Sequence, residues 1–270
     1  MTATSEALLL SSQEGAVRTL TLNRPAALNA FTTGLLVQLR EALEAAAQDA
    51  GVRCVVITGA GRGFSAGQDL SDALIKPPQE PGDQPKDIGH LLDNYYIPLA
   101  LRLRSMPVPV IAAVNGVAAG AGASLALSCD LVLAAEGASF IQAFSKIGLI
   151  PDCGGTWLLP RLVGRAKALE LALLGDKLPA AEAQAMGLIY RAVPDAELLS
   201  TAQALAQKLA QMPVKALAAT RQAFDEGLLM DYESALKSES LLQSRLGFGT
   251  DYLEGTNAFL QKRKPSFTDR

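Results

Sequence analysis

Between Arg104 and Asp130 the chain carries no formal charge. A stretch of that length must be buried, either in lipid or in protein. A membrane-spanning helix needs about 20 apolar residues in one unbroken run. Here Pro107, Pro109, Asn115, Gly116, Gly120 and Gly122 interrupt it, together with several serines. The segment reads instead as a buried strand, VPVIAAV, then a glycine-rich turn, then a small-residue helix, GASLALS. Another strand, DLVLAA, follows. No membrane partner is expected.

The same alternation extends upstream. ALLLSSQEGAVRTLTLNRP reads as two strands around Gly15 that close at Pro25. From Thr33 the period becomes helical, with Leu35, Leu36, Leu39, Leu43 and Ala47 on one face. CVVITGAG is a short apolar strand ending in glycines. Residues 76–88, KPPQEPGDQPKDI, form a polar, proline-rich loop too long for a plain connector, expected to be mobile or to cover a pocket. A helix is predicted over Leu91 to Leu103. Strands alternating with helices indicate an α/β fold with mostly parallel pairing. After about residue 195 the strand signals stop, and AELLSTAQALAQKLAQMP begins a helical region that continues to the tail.

Charged residues make up 19% of the chain, low enough to suggest surface covered by other subunits. The net charge is −3 and the first basic block is QKRKP, near the end, so a nucleic-acid partner is not expected. Three scattered cysteines, Cys54, Cys129 and Cys153, and one histidine, His90, assemble no recognisable zinc site. A reduced, cytoplasmic chain is the natural reading.

Three glycine-rich signals compete for a chemical role. GAGRGF and GAGASL both fail the dinucleotide fingerprint at its third glycine, at Phe64 and Leu125. GFSAG matches the nucleophile elbow of serine hydrolases, but such an enzyme takes its histidine late in the chain. Here nothing after His90 is a histidine. The remaining chemical reading is that SAGQD and VAAGAGAS expose backbone N–H groups that converge on one oxygen, an oxyanion hole. Glycines that merely permit turns and close packing explain the same spacing. GLIPDCGGTW holds a lone carboxylate, Asp152, between a proline and a glycine pair. Local rules favour Asp152 as the N-cap of a following helix, ionised and stabilised by the helix dipole. A base would need the opposite push, from burial near groups such as Ile150 and Trp157.

LNRPAALNAF, GFSAGQDL, AVNGVAAGAGASLALSCD, GLIPDCGGTWLLPRLVG and AMGLIYRAV occur in this order. Together they resemble the crotonase (enoyl-CoA hydratase/isomerase) superfamily over nearly the whole chain, through FLQKRKPSF. The resemblance implies a crotonase-like ββα spiral core binding acyl-CoA over 1–195. It implies a C-terminal helical trimerisation region over 196–270, giving a homotrimer or a dimer of trimers. CoA would be part of the substrate, with no separate cofactor and no metal. The implied oxyanion donors are the N–H groups of Gln68 and Ala121. Backbone at Ala27 and Leu28 would hold part of the CoA, and Ala66, Gly67 and Asp69 would border the substrate, Asp69 fixing the turn that aims Gln68. Phe259 and Lys262 match the late segment that reaches the nucleotide end, often from a neighbouring subunit.

Departures from the hydratase pattern are informative. The first of the two glutamates that hydratases use is replaced by Ser124, and the second, within IQAF, by Phe144. Asp152 stands where hydratases commonly have glycine. Around it, AFSKIGLIPDCGGTWLLPR is similar to a branch that isomerises ring-epoxidised phenylacetyl-CoA to an oxepin. The implied activity is that isomerisation, with a 3-enoyl to 2-enoyl shift by the same proton shuttle on Asp152. Association with an enoyl-CoA hydratase is a further implied partner. Two other expectations stand beside it. One is a hydrolase or dehalogenase in which Asp152 attacks as a nucleophile, and the other is a non-catalytic acyl-CoA-binding subunit. Cys153 is expected to pack rather than react, His90 to lie in a surface loop or at the acyl pocket, Ser124 and Ser145 to supply hydrogen bonds, and Tyr95, Tyr96 and Phe144 to wall an acyl group or the core.

Overall fold

The computed structural model describes residues 7–78 and 83–270. Among the described residues ten strands and ten α-helices follow in chain order. They are β1 (Leu9–Glu14), β2 (Val17–Leu22), α1 (Thr33–Gln48), β3 (Cys54–Gly59), β4 (Gly63–Ser65), α2 (Ile88–Leu91) and α3 (Ile97–Arg104). Next come β5 (Val110–Val114), β6 (Val117–Ala119), α4 (Ala121–Leu127), β7 (Leu131–Ala135), β8 (Ser139–Ile141), α5 (Gly155–Leu174), β9 (Lys177–Pro179) and α6 (Ala180–Ala185). The chain ends with β10 (Arg191–Val193), α7 (Leu198–Ala210), α8 (Val214–Gly227), α9 (Tyr232–Gly247) and α10 (Thr250–Leu260).

Two sheets share these strands. The larger has the order β1-β2-β3-β5-β7-β10, antiparallel only between β1 and β2. The smaller has the order β4-β6-β8-β9, antiparallel only between β8 and β9. Each turn of chain gives one strand to each sheet and returns through helix: β3 and β4, then β5 and β6, then β7 and β8. This is the ββα spiral expected from the sequence. The uncharged stretch becomes β5, β6 and α4, with every residue of β5 and α4 buried. Among the described residues no helix is long and apolar enough to cross a membrane. The three-residue strands of the smaller sheet were not separately legible, because three residues show no periodicity.

Helix α1 buries Leu35, Leu36, Leu39, Leu43 and Ala46, with Ala47 half-buried at the edge of that face. The predicted helix over 91–103 runs from 88 to 104 and contains a π-turn at Leu92–Tyr96, where the Ile97 N–H reaches back to the Leu92 carbonyl. Pro98 explains the widening. It has no N–H for the Asn94 carbonyl, and its ring crowds that oxygen. The stretch 76–88 is irregular at 76–78 and 83–87, and residues 79–82 of that expected loop lie outside the described residues.

The helical region from 196 opens inside the core. Leu198, Ala202, Ala206 and Ala210 form a buried stripe on α7, which packs across β2, β3, β5 and β7. Two arginines tie this tail to the sheet. Arg53 donates to the carbonyls of Ala210 and Met212, and Arg270 donates to those of Val52, Ala47 and Ala46. Beyond α7 burial thins: α8 buries only Val214 and α9 buries nothing.

Helix α4 meets β4 almost backbone to backbone. A Cβ added at Gly122 would lie 2.5 Å from the Ser65 carbonyl oxygen. Alanine ordinarily stabilises a helix over glycine by about 1 kcal/mol. Gly122→Ala is expected to reverse that sign and destabilise by about 1–3 kcal/mol, because α4 must lift from β4. Urea denaturation reads the change, and a midpoint at or above that of the wild type would refute the close contact.

Candidate active site

The GLIPDCGGTW segment turns sharply before α5. Cys153 and Gly154 both have positive φ, 50° and 85°. Gly154 stands at the N-cap, and no side chain caps the helix. The Asp152 main-chain carbonyl accepts from the Gly155 N–H at 2.8 Å, so its carboxylate is free to point elsewhere. The N-cap role that local rules favoured for Asp152 is therefore not the one it takes: the two left-handed residues carry the chain past the cap position before the helix starts.

Asp152 instead lines a cavity of about 280 Å³. Ile88, Leu92, Tyr96, Ile97 and Ala100 form one wall, and Leu149, Ile150 and Pro151 form the other. Among the described residues Asp152 Oδ1 is buried with no hydrogen-bond partner. Burial in this apolar setting pushes its pKa from an ordinary 3.8 up to about 6. Ile150 contributes to the wall as expected, but Trp157 does not. Its ring is held between the guanidinium groups of Arg104 and Arg161, 4.3 and 4.1 Å from its centroid, and it borders a different recess.

The two amide-bearing turns lie against each other. At the end of β4, Ala66 N–H donates to Leu28 O at 2.9 Å, Phe31 N–H to Gly67 O at 2.7 Å, and Asp69 N–H to Phe31 O at 2.8 Å. This pattern skips Gln68, whose N–H has no protein acceptor among the described residues. Ala121 opens α4, and its N–H is likewise without an acceptor, as helix geometry dictates for a first residue. A Cβ at Gly67 (φ 88°) would sit 2.7 Å from the Ala119 oxygen and 3.5 Å from the Ala121 nitrogen. Only glycine allows the segments carrying the two amides to approach this closely.

Gln68 and Ala121 do not themselves line the Asp152 cavity. Two side chains bridge the gap. Tyr96 lines the cavity and donates from Oη to Gln68 Oε1 at 2.6 Å. Burial, reinforced by the nearby Cys153 and Asp152, keeps the Tyr96 phenol protonated far above its ordinary range. Ser124, on α4, is fully buried with its Oγ unpartnered among the described residues, and a Cβ at Gly155 would meet it at 2.9 Å. The helix that presents Ala121 thus abuts the turn that presents Asp152. Phe144 lies under the other turn, its ring 3.7 Å from a Cβ added at Gly120.

Of the remaining expected residues, Ala27 and Leu28 lie beside Ala66 on a short 3-10 turn, and the Asp69 carboxylate is occupied by Arg24 at 2.8 Å and Ser71 at 2.6 Å. The Ser71 and Arg24 hydrogen bonds hold the Asp69 pKa below its ordinary value. Phe259, 83% exposed, borders a separate recess formed by α10 and the tail, and Lys262 is exposed just beyond it. Neither meets the Asp152 cavity within one chain. His90 is exposed and contacts Asn94, and Tyr95 packs against the core instead of the cavity. Ser65 in GFSAG is wholly buried, donating to Asn29 O and accepting from Gly67 N–H, so the elbow reading fails on geometry. Burial pushes the Cys153 thiol up, which keeps it protonated.

Asn29 was missed as an organising residue. It is buried at φ 54°, accepts from Arg24 N–H, and donates to the carbonyls of Ala60 and Gly63. Asparagine tolerates the left-handed region, and that was the available signal in LNRPAALNAF.

Residues 12–270 match the family model described as Enoyl-CoA hydratase/isomerase. The chain is 50% identical to the 1,2-epoxyphenylacetyl-CoA isomerase of Escherichia coli K12, over 97% of this chain and 98% of that one. It is 40% identical to the 2,3-dehydroadipyl-CoA hydratase of the same organism, over 97% and 99%. An enoyl-CoA hydratase structure from Bacillus anthracis superposes with a TM-score of 0.90 at 32% identity, covering 98% of this chain and 100% of that one.

The unpartnered carboxylate has a pH signature. Well below its ordinary pKa of 3.8 Asp152 is protonated in both folded and unfolded chains and contributes nothing. As the pH rises to about 6 the unfolded form ionises first, so the folded state loses stability up to that pH and stays lower above it. Asp152→Asn removes this term. The variant is expected to be more stable than the wild type by about 1–3 kcal/mol at pH 8, a gap that narrows to about 0.5 kcal/mol at pH 4, as measured by urea denaturation. An Asp152→Asn chain no more stable at pH 8 than the wild type would contradict the buried, unpaired carboxylate.

Proposed function

The chain belongs to the enoyl-CoA hydratase/isomerase family, and from that premise we propose that it is an acyl-CoA isomerase in which Asp152 carries the proton. The observation that supports this most directly is the carboxylate itself: half-buried, with Oδ1 buried and unpartnered, and shifted to about 6 at the wall of an apolar cavity. A general base works best with a pKa near the operating pH.

The Gln68 and Ala121 N–H groups polarise the thioester carbonyl and make the α-protons more acidic. Asp152 takes one as its carboxylate becomes a carboxylic acid, and the C–H electrons pass into an enolate whose oxygen the two amides hold. For a 3-enoyl thioester the same proton returns at the γ-carbon. The enolate electrons then form the 2,3 double bond and Asp152 is again a carboxylate. For ring-1,2-epoxyphenylacetyl-CoA, redistribution of the ring's own electrons opens the carbon–carbon bond under the epoxide to give the seven-membered oxepin. Asp152 then takes a proton from the side-chain methylene and returns it to a ring carbon, which moves a ring double bond out into conjugation with the thioester. Hydration of a 2-enoyl thioester needs a second group to activate water, and neither Ser124 nor Phe144 supplies one.

CoA is proposed to lie along Ala27, Leu28, Ala66, Gly67 and Asp69, with 1–195 as the acyl-CoA-binding core. The helical region over 196–270 is proposed to join three chains, or two such trimers, and to bring Phe259 and Lys262 to the nucleotide of a neighbour. The exposure of Tyr232, Phe248, Phe259 and Leu260 supports a covered surface there. CoA enters as part of the substrate and no separate cofactor is proposed. The setting is cytoplasmic, and an enoyl-CoA hydratase is the proposed partner that uses the 2-enoyl product.

The test is incubation with 3-enoyl-CoA and with epoxyphenylacetyl-CoA in deuterated water. Wild-type protein is expected to isomerise both, with kcat rising through an apparent pKa near 6. Asp152→Asn should lower kcat by about 100- to 10,000-fold while leaving CoA-ester affinity within about threefold. Full activity in that variant overturns the assignment, and a covalent adduct on Asp152 under rapid quench would indicate nucleophilic attack instead. Sedimentation is expected to give three or six chains, and a single chain at micromolar concentration refutes the proposed assembly.

A further inference from the structure

Tyr96 stands in the acyl cavity beside Asp152 and reaches out of it to Gln68. Its Oη donates to Gln68 Oε1 at 2.6 Å. Its ring packs edge-on against Phe31, with centroids 6.2 Å apart and planes at 75°. Phe31 in turn holds the main chain on both sides of Gln68, donating to Gly67 O and accepting from Asp69 N–H. The Gln68 side chain completes the circuit by donating to Asp69 O at 3.3 Å.

The circuit matters because of Gly67. With no Cβ and a φ of 88°, it places little steric restraint of its own on the peptide plane between residues 67 and 68. That plane sets the direction of the Gln68 N–H. Phe31 holds that plane at its carbonyl end, through Gly67 O, but makes no bond to the Gln68 side chain. Tyr96 supplies a direct side-chain anchor. The hydroxyl is buried with its ring, so water does not readily replace the bond. The π-turn ending at Tyr96 fits this role, since such turns occur often at functional sites.

We propose that Tyr96 is a positioning residue: through its hydroxyl bond to the Gln68 side chain it aims the Gln68 N–H at the thioester oxygen, coupling the oxyanion donor to the cavity wall that holds Asp152. The inference rests on the reading of Gln68 as an oxyanion donor.

Tyr96→Phe keeps the ring and its packing on Phe31 and removes only the hydroxyl. With 3-hexenoyl-CoA as substrate, kcat is expected to fall about 10- to 100-fold, with KM within about threefold of wild type. The acid limb of the pH profile should stay near 6, because burial alone raises Asp152. Gln68→Met removes the acceptor while keeping side-chain length and should produce a loss of similar size. The double variant should be no slower than Gln68→Met alone, since both changes break one bond.

Wild-type kcat in Tyr96→Phe overturns the proposal, as does a rise in KM with kcat unchanged, or losses that multiply in the double variant. If Tyr96→Phe does not fold, Gln68→Met decides, and wild-type kcat there overturns the proposal. Asp152→Asn run alongside separates the two readings. If it is inactive while Tyr96→Phe retains wild-type kcat, the positioning role falls and proton transfer by Asp152 stands. If Asp152→Asn is fully active, the isomerase reading falls.

Discussion

Successive turns of the spiral touch backbone to backbone, and much else follows from that contact. A Cβ at Gly116 would lie 2.1 Å from the Arg62 oxygen, and one at Gly122 would lie 2.5 Å from the Ser65 oxygen. These distances leave no room for side chains between β4, β6 and α4. The smaller sheet can therefore be built from three-residue strands, with most of its main-chain groups satisfied across the contact. Close approach also limits what the intervening residues can bond to. Gln68 and Ala121 sit where one ladder has ended and a helix is starting, and their N–H groups are left over. That these donors are unpaired is a product of the packing, whereas the direction of the Gln68 N–H is the part proposed to depend on its side chain.

The acidic group arises by a different route. Nothing in the large sheet requires Asp152. It lies beyond β8, where Cys153 and Gly154 turn the chain through two positive φ values before α5 begins. The turn holds the carboxylate against the helix over 88–104, whose apolar residues limit the access of water and offer no donor to Oδ1. An isolated buried carboxylate destabilises a fold. Its retention at the wall of a cavity is more readily explained by chemistry than by stability.

How much of this was legible depends on the range of each interaction. Strands β2, β3, β5 and β7 and helix α1 announce themselves through local periodicity, and the glycine-rich turns through composition. The π-turn follows from Pro98 only once the helix is known to continue past it. Asp152 could not be oriented from GLIPDCGGTW, because an N-cap and a cavity carboxylate share the same neighbours in sequence. The deciding feature is a cysteine at φ 50°, and no propensity predicts that. Trp157 was misplaced for a related reason. On α5 it turns toward Arg104 and Arg161 and away from the carboxylate five residues earlier. The hydroxyl bond from Tyr96 to Gln68 joins residues far apart in sequence, through a pairing that one sequence does not display.

Asp69 and Asp152 show how one residue type acquires two roles. Asp69 is held by Ser71 and Arg24 below its ordinary pKa, so at neutral pH it is an anion that anchors its turn. Asp152 has no such partner, and burial is the only influence acting on it. The consequence is directional. An acyl group entering the cavity displaces water that still reaches the carboxylate, and further desolvation raises the pKa of a group with no compensating charge. In the proposed mechanism substrate therefore strengthens the base that acts on it, whereas Asp69, tied to Arg24, is insulated from the same event. A paired carboxylate at position 152 would be more stable and less responsive, and that contrast makes its isolation part of the proposed mechanism.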